Sequence, residues 1–297
     1  MNDNFDIADW LEKIVEKVNR SLNFSLPSED LKPFNLHKAM RYSIFAGGKR
    51  IRPAILLASA KACGGSIDRA LPLASAVECI HTYSLIHDDL PAMDNDDMRR
   101  GRPTNHKVFG EGIAILAGDA LLTEAFAIAT TWNAGKTYTH REIISELSLY
   151  AGSLQMIGGQ AVDLESEGKS ISIQELKYIH ERKTSALLCL STRLGGMSAD
   201  CSMEQLRALT HFGYRVGLAF QIIDDILDVT QTSDKLGKTA GKDIKEQKAT
   251  YPALIGIERS KELATELTKE AFDSLEIFKE KGIILRKLAE YLLHRDH

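Results

Sequence analysis

The distribution of proline limits the fold of this chain more than any other single feature. No proline occurs between Pro103 and Pro252, and apolar residues recur through that interval at the spacing of an amphipathic helix. Because proline disrupts helix interiors, an interval without it suits long helices. Signals for β-strands are scarce, so the sequence predicts an all-α fold. The predicted helices cover residues 9–22, 37–46, 54–63, 74–90, 118–132, 141–158, 173–194, 203–229 and 262–295, the last with a break at Gly282.

Composition predicts a folded cytoplasmic protein. The apolar fraction of 44% is enough for a buried core, and no linker or repeat divides the chain, so we expect one domain over residues 1–297. A net charge of −4 gives no support for a nucleic-acid surface. We find neither a secretion signal nor an apolar run of membrane-spanning length. The four cysteines lack metal-site spacing and are expected to be reduced thiols: Cys63, Cys79, Cys189 and Cys201.

An acidic cluster lies on one face of the predicted helix 203–229. Asp224, Asp225 and Asp228 follow Gln221 by three, four and seven residues, which places all four side chains on the same helical face. The other face is apolar, which argues against a solvated acidic stripe. Like charges on one face lower helix stability, so we expect a cation there. Mg²⁺ prefers oxygen ligands and commonly binds a few carboxylates together with substrate phosphates.

A second acidic cluster closes the predicted helix 74–90. Asp88 and Asp89 lie at the end of an apolar run, and Pro91 then turns the chain so that Asp94 can return toward Asp88. The helix macrodipole disfavours acidic groups at a C-terminus, so a plain acidic loop is the less favourable interpretation. We hypothesise that the two clusters face each other and hold a diphosphate between them through Mg²⁺.

Basic residues near both clusters fit the same hypothesis. Lys49, Arg50 and Arg52 follow two glycines, and guanidinium groups suit phosphate oxygens. No glycine-rich nucleotide loop and no serine or cysteine nucleophile motif accompanies them. Together with an apolar interior, the charges imply a ligand with a diphosphate head and an apolar tail. The other candidate contacts are Arg99, Arg100, Lys183, Lys238 and His81, the last on the Asp88 face of its helix.

At this point the chain resembles the trans-isoprenyl diphosphate synthases over essentially its whole length. The matching stretches, in order, are GGKRIRP, ECIHTYSLIHDDLPAMDNDDMRRGRPTNH, GGQAVDL, ERKTSALL, FQIIDDILDVT and LGKTAGKD. The resemblance is strongest to bacterial farnesyl diphosphate synthases. It implies an all-α bundle of about ten core helices around a deep central cavity, usually in a homodimer.

The resemblance also implies a role for each candidate residue. Asp88, Asp89, Asp94, Asp224, Asp225 and Asp228 would bind three Mg²⁺ ions, for which Mn²⁺ could substitute. The catalytic contacts to the allylic diphosphate would be Arg99, Lys183, Thr184, Gln221 and Lys238. The isopentenyl diphosphate pocket would contain Lys49, Arg52, His81 and Arg100, and the chain-length residues would be Tyr83 and Ser84.

The implied reaction is ionisation, condensation and elimination, with farnesyl diphosphate (C15) as the expected product. Tyr83 lies five residues before Asp88, and the resemblance implies that a bulky residue there floors the cavity. A geranylgeranyl diphosphate synthase is the main alternative. A class I terpene cyclase, a metal phosphohydrolase suggested by His87 beside Asp88, and a catalytically silent synthase subunit remain alternatives of other classes.

Overall fold

The computed structural model describes residues 5–230 and 249–293, and the all-α prediction is confirmed within them. The first helices are α1 (Ile7–Ser25), α2 (Phe34–Ile44), α3 (Ile51–Ala62), α4 (Ile67–Asp88), α5 (Asn105–Phe109), α6 (Glu111–Thr130) and α7 (His140–Ala151). They are followed by α8 (Met156–Ser166), α9 (Ile173–His180), α10 (Ala186–Ser198), α11 (Met203–Thr230), α12 (Tyr251–Ile255), α13 (Ile257–Ser274) and α14 (Ile283–Leu293). A two-stranded hairpin, β1 (Met98–Arg99) and β2 (Arg102–Pro103), lies between α4 and α5.

The helices differ in burial, so that some form the centre of the bundle and others its surface. Helices α3 and α10 are apolar on nearly all sides and buried along most of their length, whereas α1 buries one stripe only. Helix α10 packs against α3 and α11, and α4 packs against α3 and α6. A helix that is apolar all round belongs inside a core, and an amphipathic one belongs at its surface. Helices α3 and α10 therefore form the centre of the bundle, and α4 and α11 pack against them.

The prediction of one helix over residues 141–158 is wrong. Helix α7 ends at Ala151 and α8 begins at Met156, because Gly152 adopts an extended backbone that caps α7. Helix α4 also differs from its prediction, since it begins at Ile67, with Pro72 inside it, and ends at Asp88. All four cysteines are free thiols, as expected for reduced residues.

A π-helical segment, Glu181–Ser185, joins α9 to α10. Periodicity predicted a single regular helix through this region. A π-turn is wider than an α-turn, so it rotates the side chains that follow it relative to a regular helix. It is at this irregular turn that the structure places Lys183 and Thr184.

Helix α6 is long and apolar enough to cross a membrane by length and composition alone, which the sequence analysis did not anticipate. Its apolar window has a mean hydropathy of 1.7, and 39% of it is buried. One such helix is weak evidence for a membrane span, because core helices of soluble proteins also meet these criteria. In this structure α6 packs against α2 and α4.

Candidate active site

A cavity of about 510 Å³ lies between α4, α6, α8 and the start of α10. Part of its wall is polar; this part, called the charged end below, includes Arg52, His81, Asp88, Lys183 and Thr184. Its remaining wall is mainly apolar and includes Met93, Leu122, Met156, Leu164 and Leu187. Such a cavity can accept a ligand with a charged head and an apolar tail.

The loop of the first acidic cluster returns as predicted. The backbone N–H of Asp94 donates to the carbonyl of Asp88 at 2.8 Å, which brings Asp94 back to the end of α4. Burial, together with the negative charges of Asp94 and Asp89, raises the pKa of Asp88 to about 6 even though Lys183 and Arg99 oppose the shift. The carboxyl of Asp88 therefore lies where a further positive charge would be favourable.

Asp89 is engaged by Arg99. The Arg99 guanidinium contacts the buried Asp89 carboxylate through Nη2 at 2.6 Å and Nε at 2.7 Å. Arg99 is also 3.6 Å from Asp96. This paired geometry leaves Asp88 and Asp94 better placed than Asp89 to bind a metal ion.

The second acidic cluster is linked to the cavity through side chains. Gln221 accepts a hydrogen bond from the hydroxyl of Thr184 at 3.0 Å and donates to the carboxylate of Asp225 at 3.2 Å. Asp225 is buried, and its other oxygen accepts from the backbone N–H of Tyr251 at 3.0 Å. Since Thr184 lines the same cavity as Asp88, the segment Lys183–Thr184 lies between the two clusters.

The predicted isopentenyl diphosphate residues form a basic group at the start of α3. Arg52 donates to His81 Nε2 at 3.2 Å, and Arg100 donates to the carbonyl of Gly47. Lys49 lies over the ring of Tyr291 on α14, 5.0 Å from its centroid. Burial and the neighbouring arginines hold the pKa of His81 well below its usual value, so His81 is a neutral acceptor for Arg52 at neutral pH.

Arg50 does not belong to this group. It is 3% exposed, and its guanidinium binds Glu78 at 2.7 Å together with Asn19 and the carbonyl of Ile44. The interpretation of Lys49, Arg50 and Arg52 as one phosphate-binding set is therefore corrected, because Arg50 is an internal ion-pair partner. A buried Arg–Glu pair with further hydrogen bonds satisfies both charges without a ligand.

Comparison with known proteins agrees with this geometry. The polyprenyl synthetase family model matches residues 34–283. The chain belongs to the polyprenyl synthetase family. A dimethylallyltranstransferase of Fischerella ambigua is 48% identical to it over 295 residues, which cover 99% of this chain and 85% of that protein. A chloroplastic geranylgeranyl pyrophosphate synthase of Catharanthus roseus is 46% identical over 297 residues, which cover 99% of this chain and 83% of that protein.

A solved structure extends the comparison to a ligand-bound relative. The crystal structure of geranyltransferase from Helicobacter pylori complexed with magnesium and isoprenyl diphosphate has a TM-score of 0.80 and is 35% identical. The match covers 95% of this chain and 96% of that chain. Six further curated relatives are named geranylgeranyl pyrophosphate or diphosphate synthases, and two of these are large subunits of heterodimeric enzymes.

The chemistry of the acidic residues fits Mg²⁺ bound jointly with a substrate. Within residues 5–230 and 249–293, no three histidine, cysteine or acidic side chains converge into a complete protein-only metal site. Mg²⁺ usually takes one or two carboxylates, water and substrate phosphates rather than a full protein cage. The pair Asp88 and Asp94, brought together at the end of α4, offers carboxylate oxygens of this kind.

Tyr83 and Ser84, the predicted chain-length residues, both line the cavity. Tyr83 is buried, and its ring makes an edge contact with His87, with the ring centroids 5.8 Å apart. Burial and the charge of Asp88 raise the pKa of Tyr83 to about 12, so its hydroxyl stays protonated. Ser84 donates to the carbonyl of His81 at 2.9 Å, which turns its hydroxyl back onto its own helix.

Helix α8 brings residues to the site to which the sequence analysis assigned no role. Asp163 binds the ammonium of Lys183 at 2.6 Å, and Gln160 lines the cavity. Both lie in the GGQAVDL stretch that carried part of the resemblance, so the motif itself indicated that this stretch belongs to the site. The spacing of residues along the sequence did not show that it contacts Lys183. Lys238 and the LGKTAGKD stretch lie outside the described residues.

Proposed function

We propose that this chain is a Mg²⁺-dependent prenyl diphosphate synthase that condenses isopentenyl diphosphate with an allylic diphosphate, head to tail. The observation that carries the proposal is one cavity with Asp88, Lys183 and Thr184 at its charged end and an apolar remainder. A diphosphate fits the first part and a prenyl chain the second. The family match and the magnesium-bound relative support the same chemistry.

The charged end favours ionisation of the allylic diphosphate. In the proposal, Asp88, Asp94 and Asp224 would hold Mg²⁺, which when bound would supply positive charge to the diphosphate oxygens. In the proposal, Arg99, Lys183 and Lys238 stabilise the charge that develops on the leaving diphosphate, which takes the electron pair of the broken bond.

The remaining allylic cation needs nearby polar oxygens and the exclusion of water. Thr184 and Gln221 supply oxygens beside the charged end of the cavity, and the apolar wall keeps water away from the cation. Asp89 acts through Arg99, whose guanidinium it holds, and Asp225 and Asp228 complete the acidic face of α11.

Isopentenyl diphosphate then supplies the nucleophile. Lys49, Arg52, His81 and Arg100 are proposed to bind its diphosphate and to hold its double bond near the cation. The alkene forms the new C–C bond, and the released diphosphate takes the proton lost in the elimination. The direct test is incubation with isopentenyl and geranyl diphosphates plus Mg²⁺, followed by product identification. A longer prenyl diphosphate is expected, whereas hydrolysis or cyclisation products would contradict the proposal.

The product length has two candidates. The curated relatives favour geranylgeranyl diphosphate (C20), which the sequence analysis kept as the alternative. The buried ring of Tyr83 in the cavity wall is the observation that favours farnesyl diphosphate (C15). The product of the wild-type enzyme, identified by chromatography and mass spectrometry, decides between them.

Replacing Tyr83 with alanine is expected to lengthen the product by at least one isoprene unit, because truncation removes an aromatic ring from the cavity wall. The measurement is the chain-length distribution formed from geranyl diphosphate. Tyr178→Ala is the control, since Tyr178 is an exposed tyrosine on α9 that does not line the cavity, and its product should match that of the wild type. An unchanged product from Tyr83→Ala would remove Tyr83 as the length determinant.

We propose that the protein is a homodimer, and an exposed apolar surface supports this proposal. Apolar side chains on neighbouring helices are exposed, including Ile115 and Leu116 on α6 and Leu149 on α7. Ile157 is exposed and also lines the cavity, so a second copy over this surface would cover that part of its wall. Large exposed apolar patches on soluble proteins mark interaction surfaces.

Leu116→Asp is expected to shift the protein from dimer to monomer. Leu116 is 52% exposed in the single chain, and in the proposed dimer the partner would bury a charge placed there, which is unfavourable. Light scattering after size-exclusion chromatography measures the mass. Met203→Asp is the control, since Met203 is also exposed but lies on α11. A wild-type monomer, or a Leu116→Asp dimer, would contradict the proposed interface.

A further inference from the structure

Among the residues that the structure describes, the ammonium of Lys183 forms an ion pair with one carboxylate, which comes from a neighbouring helix. The Nζ atom of Lys183 is 2.6 Å from Oδ2 of Asp163 on α8. The side chains of Lys183 and Asp163 are 27% and 20% exposed, so solvent screens this pair only in part. Lys183 lines the cavity beside Asp88, and its positive charge reaches the Asp88 carboxyl.

The backbone brings α8 close enough to make this contact. A β-carbon added at Gly159 would lie 2.3 Å from the backbone nitrogen of Lys183 and 2.7 Å from Cβ of Arg182. Only glycine allows this approach between α8 and the π-helical segment. Asp163 is one helical turn after Gly159 and lies on the same face of α8, so the close approach at Gly159 places its carboxylate at Lys183.

The contact between α8 and the π-helical segment determines which carboxylate the Lys183 ammonium binds. Lysine has a flexible four-carbon stem, and its ammonium can move among nearby acceptors. Asp88 of the first acidic cluster is one such acceptor, because it lines the same cavity as Lys183. If Lys183 paired directly with Asp88, it would compete with a cation for that carboxylate. A competing acceptor on α8 keeps the acidic cluster available.

We infer that Asp163 is a positioning residue that holds the Lys183 ammonium at the edge of the diphosphate site and away from the acidic cluster. The inference rests on the proposed function, since it assigns to Asp163 a part in binding the allylic diphosphate. Asp163 acts through Lys183 and needs no contact with substrate. It neither gains nor loses a proton in the reaction.

Asp163→Asn removes the charge of this side chain and keeps its shape. The KM for the allylic diphosphate is expected to rise about tenfold, because the loss of a charge-assisted hydrogen bond weakens binding by about that factor. The KM for isopentenyl diphosphate is expected to stay within about twofold of the wild-type value. A second readout does not depend on turnover. Inorganic pyrophosphate with Mg²⁺ should raise the melting temperature of the variant less than that of the wild type.

Glu146→Gln is a matched control for general loss of an ion pair. Glu146 on α7 binds Arg193 on α10 at 2.6 Å, with side-chain exposures of 17% and 18%, and neither residue lines the cavity. This variant should keep both KM values and the full pyrophosphate shift, even where its melting temperature falls. Asp163→Glu should recover part of the allylic KM, because it restores the carboxylate at a longer reach.

The possible outcomes separate this inference from the proposed function. If the wild type condenses its substrates and Asp163→Asn behaves like Glu146→Gln in both readouts, Asp163 has a structural role only and the inference is overturned. If the wild type fails to condense but its pyrophosphate shift depends on Asp163, the proposed function falls and the positioning role remains. If the wild type neither condenses nor binds pyrophosphate, both fall.

Discussion

Asp88→Asn is expected to lower turnover by about 10³-fold or more, because it removes a carboxylate proposed to bind Mg²⁺ at the leaving diphosphate. The fold should not weaken. Burial raises the pKa of Asp88 from 3.8 to about 6, so the ionised form destabilises the metal-free protein as pH rises through that window. A neutral amide removes this penalty above pH 6. Steady-state kinetics with saturating Mg²⁺ and thermal unfolding of the metal-free protein measure the two effects.

Asp97→Asn is the control within the same acidic stretch. Asp97 binds Lys107 at 2.7 Å, but its side chain is 71% exposed. Its loss should leave turnover within about twofold, as is usual for surface ion pairs. Asp224→Asn should repeat the loss seen with Asp88→Asn from the opposite cluster. Near-normal Mg²⁺-dependent turnover in either cluster variant would contradict the proposed metal site.

The apolar pattern of the sequence predicted the helices and their buried faces, but it did not predict where a helix is interrupted. The buried stripe of α1, at Leu11, Ile14, Val18 and Leu22, has the spacing that the sequence shows. The break at Gly152 and the π-helical turn at Lys183 interrupt patterns that look continuous. At the π-turn the backbone lies against Gly159 of α8, and periodicity does not record a contact between segments this far apart in the sequence. Gly152 ends α7 through its own extended backbone conformation, which an apolar repeat does not record either.

In the candidate site, too, the local sequence predicts some features and not others. The face shared by Gln221, Asp224, Asp225 and Asp228 depends only on helical geometry, and the return of Asp94 depends on a short loop. The partners of the cations depend on how helices pack. Lys183 meets Asp163 from another helix, and Arg50 meets Glu78, 28 residues away. Adjacent cations in a sequence can therefore have different surroundings: Lys49 lies over the ring of Tyr291, whereas Arg50 pairs with Glu78 in the core.

Arg50→Met is expected to lower the free energy of unfolding by about 3–5 kcal/mol, because it leaves Glu78 buried without its cation. The side chains of Arg50 and Glu78 are 1% and 3% exposed, so water cannot replace the lost partner. Methionine keeps the apolar part of the arginine side chain. The backbone at position 50 is left-handed, with φ 48°, and its energetic cost is the same for arginine and methionine. Equilibrium urea denaturation gives the free energy.

Two comparisons show whether the loss comes from the buried charge. Asp68→Asn breaks the exposed Lys17–Asp68 pair and should cost no more than about 1 kcal/mol. Adding Glu78→Leu to Arg50→Met should recover much of the lost stability, since it removes the unpaired carboxylate. If Arg50→Met instead kept wild-type stability and raised the KM for isopentenyl diphosphate, Arg50 would act at the substrate as the basic stretch first indicated. Arg50 would then join Lys49, Arg52, His81 and Arg100 in that pocket.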